Sequence, residues 1–150
     1  MGSFDHILVP TDFGDASTAA LERALELAAK LGSKVTVLHT TRLPPYYYSA
    51  YAEGLAWPVD ELEGRAKKEL DALVAKAKSR YPKIEGVLGE GEPWERILEA
   101  AKDRGADLIV MGTHGRRGVS RVLLGSVAEK VVRTSPIPVM TVSGGEAQRR

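Results

Sequence analysis

The chain has 150 residues and a net charge of +1, with 43% hydrophobic and 27% charged residues, which suits one globular domain with a real core and is short for two. So balanced a charge argues against a protein that grips nucleic acid through bulk charge. The absence of cysteine excludes disulfides, thiolate catalysis and thiolate metal sites. No apolar run approaches the roughly 20 residues that span a bilayer, and Met1 to His6 lacks the basic-then-apolar pattern of a signal peptide. The expectation is one cytoplasmic domain over residues 1–150, without a membrane or nucleic-acid partner.

Short apolar runs then alternate with longer amphipathic segments. Ile7–Val9 reads as a first strand. Asp15–Leu31 follows as a helix, with Ala20, Ala24, Leu27, Ala28 and Leu31 on one face, Asp15 as its cap and Gly32 as its stop. Val35–Leu38 is a compact, largely β-branched second strand, and Arg42–Pro58 is an irregular stretch rich in tyrosine and proline. Val59–Arg80 reads as a helix with Leu62, Ala66, Leu70, Leu73 and Ala77 aligned. Ile84–Leu88 is a weaker third strand. Pro93 fits the first position of a helix to about Arg104, with Gly105 as its stop. Leu108–Met111 is a fourth strand, Ser126–Thr134 a last helix, Val139–Val142 a fifth strand, and residues 143–150 a polar, frayed tail.

Strands alternating with helices imply right-handed crossovers and a parallel sheet covered on both faces, a doubly wound α/β fold of five strands. Ligands of such sheets sit beyond the carboxyl ends of the strands, where the strand order reverses. Two loops leave such ends. After the first strand come Pro10, Thr11 and Asp12; a carboxylate there suits a ribose hydroxyl, a base edge or a metal ion, and equally suits a helix cap. After the fourth strand runs "GTHGRRGVSRVLLGS". Gly112 and Gly115 allow positive φ or close approach of a ligand. Gly125 and Ser126 open a helix whose free N–H groups and dipole suit a phosphate, with Arg116, Arg117 and Arg121 between to balance charge. Against this, Ser126 with Glu129 spells a capping box, which explains the serine by itself. Neither standard phosphate-loop spacing is present.

The chain resembles the universal stress protein family over nearly its whole length, from "HILVPTDF" through "KVTVLHT" and "GEPWERILEAAKDRGADLIVMGTHG" to "GSVAEKVVRTSPIPVMTV". The sharpest element is the nucleotide motif G-x2-G-x9-G-[ST], met by Gly112, Gly115, Gly125 and Ser126. The resemblance is to the branch that carries this motif and binds ATP. It implies strand order 3-2-1-4-5, which makes the first and fourth strands neighbours and puts both loops on one site. By position, Pro10, Thr11 and Asp12 would line the adenosine side and Thr40 would offer its backbone to the adenine. Met111 would pack near base and ribose, and Gly112, Gly115, Gly125, Ser126 and Val127 would hold the phosphates, with Arg116 and Mg²⁺ balancing charge. Gly14 departs from the serine that many relatives place after "TDF".

The resemblance implies an ATP-binding (or ADP- or AMP-binding) stress-response or signalling module. The alternatives are a slow ATPase or phosphotransferase, for which no base is evident, and a flavoprotein of similar fold. A homodimer through Val139–Val142 is expected, since an exposed late strand invites pairing with its own copy. His6, His39 and His114 read as structural or incidental, though His114 sits within the second loop. The aromatic stretch around Tyr46–Tyr48 reads as a packed flap or partner surface.

Overall fold

The computed structural model describes residues 4–42, 59–114 and 124–144. Its elements run β1 (His6–Pro10), α1 (Asp15–Leu31), β2 (Lys34–Thr41), α2 (Val59–Lys78), β3 (Ile84–Glu90), α3 (Pro93–Arg104), β4 (Leu108–Gly112), α4 (Ser126–Thr134) and β5 (Val139–Val142). The five strands form one parallel sheet in the order β3-β2-β1-β4-β5.

Alternation along each strand feeds two cores. Ile7, Val9, Val35, Val37, Leu108 and Val110 turn to one face and meet Ala20, Ala24 and Ala28 of α1 and Leu70 of α2. Leu8, Leu38, Ile109 and Met111 turn to the other and meet Ile97 of α3 and Val131 of α4. A strand buried on both faces has no solvent-facing polar side, which is why Ile7–Val9 and Leu108–Met111 read as unbroken apolar runs, and the one buried hydroxyl of β2, Thr36, is hydrogen-bonded to His6. α1 and α3 end where glycine permits the left-handed turn. Gly32 has φ 74° and donates its N–H to the Ala28 carbonyl at 2.7 Å, and Gly105 has φ 70°.

Two boundaries differ from the sequence expectation in ways that matter. α2 stops at Lys78, and Arg80 and Tyr81 return their N–H groups to the Ala77 carbonyl in a closing turn. β2 continues to Thr41, three residues beyond its apolar run, because β3 pairs with it as far as Thr41 opposite Glu90. Its end, His39-Thr40-Thr41, is held by ladder hydrogen bonds and carries little apolar burial, so hydrophobicity does not mark it. Among the described residues, no helix is long and apolar enough to cross a membrane.

Candidate functional site

β1 ends at Pro10, opposite Leu38, and the last rung joining it to β2 is the Thr11 N–H on the Leu38 carbonyl at 2.8 Å. β2 goes on alone on that side. Since the Leu38 carbonyl faces β1 and the Thr41 carbonyl faces Gly91 beyond β3, alternation turns the Thr40 peptide toward the space that β1 has vacated. A cleft of about 290 Å³ opens there, between the carboxyl ends of β1, β2 and β4 and the first turns of α3 and α4. Leu38, Met111, Pro93 and Ile97 give it apolar walls.

The turn after β1 is a compact hydrogen-bonded knot. Asp12 Oδ1 accepts the Gly14 N–H at 2.8 Å and lies 2.9 Å from the Ser17 hydroxyl. Thr11 is buried, and its Oγ1 accepts the Phe13 N–H at 3.0 Å. The cap of α1 is Gly14, with no side-chain cap, so Asp15 stands in the first turn and does not cap it. It still meets the positive end of the helix dipole. Phe13 adopts φ 65°, a left-handed conformation that costs a non-glycine residue about 1–2 kcal/mol. Its ring rests on His39 at 4.4 Å between centroids, and the His39 Nδ1–H donates to the Thr11 carbonyl at 2.8 Å.

The second loop corrects two expectations. Gly112 sits within β4, paired with Val142, and does not adopt positive φ. A Cβ there would lie 2.7 Å from the carbonyl carbon of Ala16 and 2.9 Å from the Ser17 nitrogen, so glycine at 112 lets the first turn of α1 press on the end of β4. Nor does the capping box form. The N-cap of α4 is Gly125 (φ −66°, ψ 161°), with no side-chain cap, and Ser126 is already the first helical residue, one position too late to bond the third amide. The Glu129 carboxylate pairs instead with Arg133 one turn on. The exposed Ser126 hydroxyl and the first amides of α4 therefore open on the cleft wall, beside Gly125 and Val127.

Thr113 ties the two ends of this loop to the sheet. Its N–H donates to the Val142 carbonyl at 3.0 Å, and its own carbonyl accepts the Gly125 N–H. The cleft thus brings together Pro10, Thr11, Asp12 and Thr40 from one side with Met111, Gly112, Gly125, Ser126 and Val127 from the other. Gly115 and Arg116 lie outside the described residues. Sequence reasoning missed Ser17, His39, Pro93 and Ile97, which also line it. His39 adjoins Thr40 and was readable from that neighbourhood, whereas Ile97 looks like any core residue of α3.

The sequence profile of the universal stress protein family matches residues 3–143. The chain belongs to the universal stress protein family. Universal stress protein YxiE of Bacillus subtilis is 34% identical to it, over 93% of this chain and 99% of that protein. A universal stress protein solved in complex with cAMP superposes with a TM-score of 0.68 at 26% identity, over 93% of this chain and 97% of that one. The universal stress protein of Archaeoglobus fulgidus in complex with dAMP superposes with a TM-score of 0.66 at 25% identity, covering 95% and 99%. Its relatives thus include proteins that hold adenine nucleotides.

Proposed function

We propose that this universal stress protein binds adenine nucleotides, with ATP as its ligand, and acts as a nucleotide-dependent stress-response or signalling module. The observation that carries the reading is one cleft with two kinds of open backbone. At one end, the Thr40 peptide, in β2 but unpaired on the side of β1, offers a donor and an acceptor to a base edge. At the other, the start of α4 offers the amides of Ser126 and Val127 and a dipole to phosphates, beside Gly125, whose own N–H is held by the Thr113 carbonyl. Leu38, Met111, Pro10 and Ile97 supply the apolar walls that a purine needs. Asp12, with Oδ1 held by Gly14, is left with Oδ2 for a ribose hydroxyl. Gly115 and Arg116 complete the phosphate side in this reading, and Mg²⁺ enters with the triphosphate. The relatives in complex with cAMP and dAMP support the adenine half.

An enzyme is the weaker reading. The carboxylate on the cleft wall, Asp12, is fastened to the α1 turn through Gly14 and Ser17, whereas phosphoryl transfer needs a group free to orient the nucleophile. Titration calorimetry with ATP and Mg²⁺ tests the proposal, together with mass spectrometry of nucleotide released from freshly purified, denatured protein. No binding at millimolar ATP would remove it.

A further inference from the structure

We infer that His39 is the positioning residue of the base site: its ring ends the β1–β2 ladder one rung early and so holds the Thr40 peptide open to a ligand, an inference that rests on the nucleotide reading above. In a parallel ladder the rung after Thr11 N–H to Leu38 C=O is Thr40 N–H to Thr11 C=O, and the next is Phe13 N–H to Thr40 C=O. Neither forms. The His39 Nδ1–H takes the Thr11 carbonyl at 2.8 Å, the acceptor that the Thr40 amide would otherwise use. The Phe13 N–H goes to Thr11 Oγ1 at 3.0 Å, which withdraws the donor due to the Thr40 carbonyl. A carbonyl can only accept, so the shared proton belongs to His39 Nδ1 and the tautomer is fixed.

The substitution of a side-chain donor for a backbone one is stabilised locally. The Phe13 ring lies against the imidazole, 4.4 Å between centroids and tilted by 39°. Phe13 makes this contact with a left-handed φ of 65°, while its amide is turned to Thr11 Oγ1. His39 and Phe13 therefore act as one wedge at the end of β1. They leave Thr40 with an amide and a carbonyl on the same side of the strand, the complement of an adenine edge that carries one donor and one acceptor.

Two measurements test this, one of which needs no nucleotide. In ligand-free wild-type protein the Thr40 amide exchanges its hydrogen quickly, although its neighbours in β2 are protected. In His39→Ala the Thr11 carbonyl is released, the rung to Thr40 closes and that amide becomes protected. His39→Asn, whose amide nitrogen takes the place of Nδ1, keeps it open. Calorimetry with adenosine, which has no phosphate, then reads the consequence. His39→Ala binds about five- to tenfold more weakly, the scale of one hydrogen bond, and His39→Asn recovers most of the loss. Thermal melting of His6→Ala, a change at the opposite end of the sheet, controls for stability loss alone. A Thr40 amide already protected in the ligand-free wild type overturns the inference, as does wild-type adenosine affinity in folded His39→Ala. An open Thr40 amide in wild-type protein that binds neither adenosine nor ATP supports the ladder break and sinks the nucleotide reading instead.

Discussion

A serine at the start of a helix can serve the helix or a ligand, and at Ser126 the geometry separates the two. Because Gly125 is the cap and the capping box does not form, the hydroxyl contributes little to folding. Ser126→Ala should therefore change stability by no more than about 0.5 kcal/mol, as at an ordinary surface position. It should weaken ATP binding about ten- to a hundredfold, the effect of removing one hydrogen bond to a charged group worth roughly 1.5–3 kcal/mol. Calorimetry and thermal melting on the same sample check both halves, and a fall in melting temperature with unchanged ATP affinity would reverse the assignment. Gly125 has φ −66°, which any L residue tolerates, so Gly125→Val should fold and lose ATP more severely than Ser126→Ala. Tyr81 offers a contrast far from the cleft. Its hydroxyl donates to the Ser33 carbonyl, with the Ala28 carbonyl also in reach, and burial pushes its pKa above 10.0. A raised phenol pKa means that its stabilisation is intact below pH 10 and is lost as pH rises through the folded-state value. The stability gap between wild type and Tyr81→Phe, followed by urea unfolding, should be constant at neutral pH and shrink at alkaline pH.

At the level of elements, the packing of α1 on the end of β4 carries a sharp test. A methyl group at 112 has no room, with the Ala16 carbonyl carbon and Cβ both at 2.7 Å and the glycine itself paired with Val142 in the sheet. Gly112→Ala should cost about 1–3 kcal/mol of stability, the usual range for overpacking, and lower the melting temperature even without nucleotide. If the variant is as stable as wild type but binds ATP poorly, the glycine serves the ligand after all. The strands and helices themselves were legible, since a parallel strand covered on both faces must be apolar throughout and the helices show their 3.6-residue period. The polar end of β2 was not legible, because His39, Thr40 and Thr41 are ordered by pairing with β3. The reason for Gly112 was hidden too, since it lies in a contact with Ala16, which is 96 positions away in sequence. The serine-glutamate spacing at Ser126 misled for a local reason: the cap fell on the glycine one residue earlier. The Tyr-rich stretch and the arginines of the second loop lie outside the described residues.

The whole molecule presents β5 as a sheet edge, and its two sides can be told apart. The Pro138 and Val142 carbonyls face β4, accepting from Ile109 and Thr113 at 3.0 Å each. Alternation then turns the N–H and C=O of Val139 and Thr141 outward. Nothing among the described residues pairs with that edge. Met140 of β5 is 38% exposed, and Val132 of α4, on the other face of the sheet, is 44% exposed. An open edge flanked by apolar side chains is suited to a second copy of the same strand, and antiparallel pairing about a two-fold axis closes after one partner. Pro136 and Pro138 confine the pairing to the four residues of β5. The expected outcome is a homodimer at micromolar concentration in sedimentation velocity. Thr141→Pro should dissociate it, because proline there removes an outward N–H and leaves the ladder to β4 untouched. Retained nucleotide binding by the monomeric variant would show that the cleft is complete within one chain. A monomeric wild type, or a Thr141→Pro protein that stays dimeric, would place self-association elsewhere and return the β5 edge to solvent.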